Sequence, residues 1–221
     1  MARKTRKPVE IIYEPFEVRA LNAGAGLVAG IDEAGRGCLA GPVSVGLTIF
    51  PVAFFDTPVP EALRGLTDSK LLSPAVRDSY FEALPDFTLF QTTVLISNKR
   101  IDADGIMPAI RLAILSTVAR ARRAGFAPDH LLVDGNYKLP QIEKEFPGTR
   151  YESITKGDSR VFSIAAASIL AKVTRDRRMT RYDRLWPGYG LTAHKGYGTQ
   201  KHRDAISHLG PAPLHRRSYK W

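Results

Sequence analysis

The chain has 221 residues, 44% of them hydrophobic, with 18 Gly and 15 Pro, which is material for one globular domain with a sizeable core plus an appendage. Its single cysteine, Cys38, excludes an intramolecular disulfide, a four-cysteine zinc site and a thioredoxin-type pair, and no apolar run reaches the roughly 18 residues that span a bilayer. The net charge of +10 points toward a polyanionic partner, with a solvated basic face as the plainer alternative.

Residues 1–26 read as a basic N-terminal extension. Arg3, Lys4, Arg6 and Lys7 come first, with no apolar segment behind them to make a secretory signal. The run ends at N-A-G-A-G, a flexible joint. Leu27, Val28, Ala29 and Ile31 then form a short apolar run that predicts a buried strand. Asp32 and Glu33 follow at once, and then Gly35-Arg36-Gly37. Neighbours on a strand point to opposite faces, so both carboxylates serve one site only if the strand ends and its backbone turns there. Two adjacent anions at a strand end carry a desolvation and repulsion cost that a divalent cation offsets. The two glycines admit a ligand backbone, and Arg36 offers a fork that fits phosphate. An ordinary polar turn would show the same residues. Cys38, just after the turn, reads as a small buried filler rather than a nucleophile.

Residues 42–50 are rich in β-branched residues and predict a second strand paired with the first. Residues 51–60 carry three prolines and read as a loop. Ser73 and Pro74 predict the start of a helix to about Leu84, and residues 86–97 a long strand. Residues 98–105 read as a polar connection, residues 107–124 as an amphipathic helix stopped by Gly125. His130 to Val133 is a short apolar strand ending in Asp134-Gly135-Asn136. Another strand covers residues 150–154. A strong helix spans residues 161–182, apolar in its first half and basic in its second, with Asp158 just before it in the place of a cap or first-turn acid. Thr199 predicts the cap of a last helix to about Leu209. The order of strands and helices predicts an α/β sheet with helices on its faces. Charge follows the same division: residues 172–221 hold 12 Lys/Arg against 3 Asp/Glu, while residues 8–171 hold 16 against 19.

Seven segments in this order resemble the ribonuclease HII family. They are G-I-D-E-A-G-R-G at 30–37 with G-P at 41–42, T-D-S-K at 67–70, D-G-N at 134–136, K-G-D-S-R at 156–160, A-A-S-I-L-A-K-V-T-R-D at 166–176, H-K-G-Y-G-T at 194–199 and H-R-R-S-Y at 215–219. The resemblance runs from Leu27 to the C-terminus. It implies an RNase H-like fold: a mixed central β-sheet flanked by helices, with a C-terminal helical portion from about residue 183. It implies an endonuclease that cuts RNA in RNA–DNA hybrids and duplex DNA at embedded ribonucleotides, leaving 5′-phosphate and 3′-hydroxyl ends. Carried over by position, Asp32, Glu33, Asp134 and Asp158 resemble the family's four acidic residues. Gly35, Arg36 and Gly37 match the turn that reads the 2′-hydroxyl, the group that separates RNA from DNA, and Tyr197 the tyrosine that stacks on the neighbouring sugar.

Four carboxylates cannot all stay ionised without cations. Oxygen ligands suit Mg²⁺ or Mn²⁺ rather than zinc. Two such ions roughly 4 Å apart activate water and stabilise the leaving oxygen at phosphorus. Lys70, Lys156, Lys172 and Arg175 are candidate phosphate contacts, and Ser159 and Arg160 could support the site. Asp158, where ribonuclease HIII typically has Glu, and the short extension favour HII. Gly105 departs from the family's usual Asn and bears on local geometry. The rivals are another two-metal nuclease of this fold and a non-catalytic nucleic-acid binder. A cytoplasmic monomer is the expectation.

Overall fold

The computed structural model describes residues 13–221. The basic tail Arg3–Lys7 lies outside the described residues. Five strands form one sheet: β1 (Val28–Ala34), β2 (Val43–Ile49), β3 (Phe90–Ile96), β4 (His130–Asp134) and β5 (Arg150–Ile154), in the order β3-β2-β1-β4-β5. β1–β2 and β2–β3 are antiparallel, while β1–β4 and β4–β5 are parallel. The sheet is therefore mixed, with helices on both faces, as the alternation of elements predicts.

β2 is buried along its whole length yet alternates in sequence: Val43, Val45, Leu47 and Ile49 fill the core on one face, while Ser44, Gly46 and Thr48 on the other are small, and Thr48 donates to the Ser163 carbonyl at 2.8 Å. Against one face of β1 and β2 lies the long helix Phe162–Leu185, whose first half is fully buried. It comes very close. A Cβ on Gly30 would stand 2.2 Å from the backbone of Ser163, and one on Gly46 would stand 2.3 Å from the Ala167 carbonyl. Those two glycines let the helix seat on the sheet by its backbone. The other face is covered by the helix Ile106–Arg123, which presents Ile110, Ile114 and Val118 to Val45, Leu47 and Val133.

The predicted caps are present. Ser73 accepts the Val76 N–H at the start of the helix Pro74–Ala83, and Thr199 accepts the His202 N–H at the start of Gln200–Leu209. Residues 98–105 differ from the expected connection. Asn98–Asp104 is a helix, capped by Ser97 through the Arg100 N–H. Gly105 joins it to the next helix at φ 89° and ψ 163°, a backbone region essentially open to Gly alone. The departure at 105 is thus explained by backbone angle.

Residues 13–26 include a short helix, Phe16–Asn22, whose Phe16 and Ala20 pack with Val28, Leu132 and Ile164. With it included, the helices in chain order are α1 (Phe16–Asn22), α2 (Pro74–Ala83), α3 (Asn98–Asp104), α4 (Ile106–Arg123), α5 (Gln141–Glu145), α6 (Phe162–Leu185), α7 (Leu191–His194) and α8 (Gln200–Leu209). The C-terminal residues return to the sheet as a strap: Ala40 and His215 form an isolated antiparallel bridge. Among the described residues no helix is long and apolar enough to cross a membrane.

Candidate active site

β1 and β4 run parallel only from Val28↔His130 to Ile31↔Val133. β1 does not end there. It stays paired with β2 through Ala34↔Ser44, so the expected strand end is instead the point where two parallel strands part. Asp32 and Glu33 lie on β1 just past the last β1–β4 pair, and Asp134 closes β4. The notch between the strands collects all three: each offers a carboxylate oxygen, and those oxygens lie within 4.8 Å of one another. Asp32 accepts the Glu33 N–H at 2.7 Å, which uses a donor that β4 no longer pairs. Asp134 accepts the Gly157 N–H at 2.7 Å, which ties it to the turn carrying Asp158.

Asp158 sits in the single 3-10 turn Gly157–Ser159 before α6. It is buried and its Oδ2 receives the Lys70 ammonium at 3.3 Å, with Asp68 3.5 Å from the same ammonium. The acid cluster is thus a triad with a fourth carboxylate beside it, and that fourth carboxylate shares the Lys70 ammonium with Asp68. Burial first, then Glu33, Asp134 and Asp158, hold Asp32 well above the usual carboxylate range. Burial also raises Glu33, with Asp134 adding to it and Tyr137, Arg36 and Lys70 opposing. Burial, Asp134 and Asp68 raise Asp158 against the pull of Lys70. Although burial works against it, the acids Asp68, Asp32 and Asp158 hold Lys70 above its ordinary value. A site where like charges raise one another's pKa is short of cations, and an all-oxygen donor set fits a hard divalent ion.

A pocket of about 210 Å³ brings Asp32, Glu33 and Asp134 together with Gly35, Arg36, Gly37, Lys70, Lys172 and Tyr197. Lys172 and Tyr197 also line a neighbouring cleft of about 840 Å³ between α2, α6 and the 192–199 loop. Tyr197 is 38% exposed, with the Lys172 ammonium 5.6 Å from its ring centre. Lys172 is itself paired with Asp176 at 2.9 Å. Lys156 is exposed and in the left-handed region at φ 57°, away from the pocket lining.

Arg175 corrects the sequence expectation. It is fully buried and donates to the carbonyls of Pro42, Ala40 and Lys195 at 2.8–3.0 Å. A guanidinium enclosed by backbone carbonyls is a brace and does not reach phosphate. A Cβ on Gly35 would lie 1.9 Å from its Nε, and Gly35 has φ 89°, so glycine there is required twice over. Cys38 is fully buried and burial pushes its thiol pKa up, as befits a filler.

Several residues that hold the site carried no separate signal. Arg160, named from sequence only as a support of the site, makes a two-point ion pair with Glu14 at 2.6 and 2.9 Å. The buried Tyr137 hydroxyl faces Glu33 without closing a hydrogen bond to a described residue. Arg216 is buried and bound to the Gly35–Arg36 turn. The last lies in H-R-R-S-Y, a segment whose sequence gave membership but no contact.

The family model described as Ribonuclease HII matches residues 29–221. The chain belongs to the ribonuclease HII family. The ribonuclease HII of Geobacter sulfurreducens is 45% identical over 205 residues, covering 93% of this chain and 87% of that protein. That of Clostridioides difficile is 42% identical over 217 residues, covering 98% and 78%. The Archaeoglobus fulgidus RNase HII, solved in a complex with PCNA, superposes with TM-score 0.70 at 26% identity, over 88% of this chain and 96% of that one. As a ribonuclease HII the chain is an endoribonuclease of RNA–DNA hybrids, and its acid cluster is in keeping with the divalent metals of that family.

Proposed function

We propose that this ribonuclease HII nicks duplex DNA on the 5′ side of an embedded ribonucleotide, as well as cutting hybrid RNA, with Asp32, Glu33, Asp134 and Asp158 as the metal-holding residues. The observation that carries this reading is the meeting of the Asp32–Glu33–Asp134 carboxylates with the Gly35–Gly37 turn in one pocket. Chemistry and ribose recognition then act on adjacent atoms of one nucleotide.

When bound, two divalent cations, Mg²⁺ or Mn²⁺, supply charge neutralisation and a polarised water for in-line displacement at phosphorus. Asp32 and Asp134 are held for this by the Glu33 and Gly157 N–H groups. Lys70 is the resident counter-ion of Asp158 and faces the incoming phosphate. The new bond is from water oxygen to phosphorus; the bond to the ribonucleotide's 5′-neighbour breaks at its 3′-oxygen, which takes a proton. A 3′-hydroxyl and a 5′-phosphate result. The Gly35–Gly37 turn reads the 2′-hydroxyl, Arg36 and Lys172 meet flanking phosphates, and the Tyr197 ring stacks on the neighbouring sugar. The larger cleft, with Arg77, Arg177 and Lys195 on its walls, is the course of the duplex beyond the pocket. Exposed Lys156 contributes at most to long-range attraction. The protein acts as a cytoplasmic monomer, residues 27–221 forming the catalytic domain.

The test uses a DNA duplex with one ribonucleotide, incubated with the protein in Mg²⁺, Mn²⁺ or EDTA, and maps the cut. A metal-dependent nick 5′ to the ribonucleotide supports the reading. Cleavage of long hybrids alone leaves the chemistry standing and removes the roles of Gly35–Gly37 and Tyr197.

A further inference from the structure

We propose that Arg216, on the C-terminal strap, is the positioning residue that makes the Gly35–Gly37 turn selective for ribose. This deepens the reading of that turn given above and rests on it. Arg216 is fully buried. Its guanidinium donates to the Gly35 carbonyl at 2.7 Å, the Arg36 carbonyl at 2.8 Å and the Gly41 carbonyl at 3.0 Å. The Tyr219 hydroxyl donates to the same Arg36 carbonyl at 2.8 Å.

Peptide geometry gives these bonds their consequence. In a trans peptide the carbonyl of one residue and the N–H of the next point in opposite directions, and no peptide among the described residues is cis. Pinning the Gly35 and Arg36 carbonyls on Arg216 therefore turns the N–H groups of Arg36 and Gly37 away from it. Neither N–H has an acceptor among the described residues. Both residues line the pocket that holds Asp32, Glu33 and Asp134. Two fixed, free donors beside the acid cluster suit an oxygen acceptor such as a ribose 2′-hydroxyl; a deoxyribose 2′-carbon offers them nothing.

The energetics argue for a role beyond stability. Arg216 has no carboxylate within salt-bridge distance among the described residues. A buried cation whose partners are three carbonyls and the Tyr219 hydroxyl, with no carboxylate, is a poor way to stabilise a fold, since its desolvation is costly. It is a good way to fix several carbonyls at once, because the planar fork spans them where an ammonium cannot. The strap holding it is anchored independently: the Arg216 N–H donates to Leu39, and Asp102 of α3 accepts the N–H groups of Arg217 and Ser218 at 3.0 Å.

The experiment measures binding of two DNA duplexes, one with a single ribonucleotide and one all-deoxy, to the full chain carrying Asp134→Asn, in Mg²⁺. To it are added Arg216→Lys or Tyr219→Phe. With the parent, the ribonucleotide duplex binds more tightly. Arg216→Lys should cut that preference by about tenfold and Tyr219→Phe by about threefold, since misaligned donors lose most of a hydrogen bond, while affinity for the all-deoxy duplex holds. Equal losses on both duplexes, or an unchanged preference in folded variants, overturn the proposal. If Arg216→Lys does not fold, Tyr219→Phe decides, because its side chain is only partly buried. A parent with no preference overturns the reading of the turn itself, which is a different result from a variant without effect.

Discussion

The Glu17 carboxylate of α1 accepts the Ser163 N–H at 2.8 Å. Val161, at the start of α6, provides no side-chain cap of its own. A residue 146 positions earlier thus caps the helix that follows Asp158. Its charge also faces the positive end of the helix dipole. Glu17→Ala should lower stability by about 1–2 kcal/mol, the scale of a lost cap, and Glu17→Gln should recover part of it. Thermal denaturation of the two variants checks this; an unchanged midpoint in Glu17→Ala would mean the cap contributes nothing.

Asp134→Asn should abolish cleavage while keeping or tightening binding to the duplex. The amide oxygen still accepts the Gly157 N–H, so the turn before α6 stays in place while one anion facing phosphate is gone. Paired turnover and binding measurements decide it, and wild-type turnover would remove Asp134 as a ligand.

Tyr197→Ala should reduce cutting at a lone ribonucleotide at least about tenfold, the loss expected of an aromatic stacking platform, with little change in thermal midpoint. The ring is more than a third exposed, so its removal leaves no large cavity. The midpoint and the cleavage rate falling in proportion would instead assign it to packing the 194–199 loop.

Stability should depend on pH and metal together. Asp32, Glu33 and Asp158 have raised pKa values, so each holds its proton more tightly folded than unfolded. Above the ordinary carboxylate range near pH 4, the folded chain binds the extra protons and their contribution to stability declines as pH rises through the raised values. A divalent cation restores what ionisation removes. Melting curves should show a larger gain from Mg²⁺ or Mn²⁺ at about pH 8 than at about pH 5, and Asp32→Asn should flatten that difference. The same gain at both pH values would argue against cation binding by these carboxylates.

Local rules carried much of the fold. Ser73 and Thr199 cap the helices they were expected to cap, and the apolar runs before Asp32 and Asp134 are adjacent parallel strands. α3 escaped because Asn98–Asp104 buries only Ile101. One inward residue leaves no periodic stripe, and the helix is set by its Ser97 cap and by joining α4. Arg175 was misread because an arginine in a basic helix ordinarily faces solvent. Its acceptors lie up to 135 residues away.

The sequence by itself determined the family, the five strands and the four long helices, and it pointed to four acidic positions, because these rest on residue type, short spacing and local propensity. Only the tertiary structure decided how adjacent Asp32 and Glu33 come to share a site: β1 continues along β2 while β4 leaves it, and Asp134 fills the notch. It also decided that Arg175 and Arg216 brace backbone and that Glu17 caps α6. Those are long-range hydrogen bonds, and where a buried donor finds its acceptor depends on how the whole chain packs.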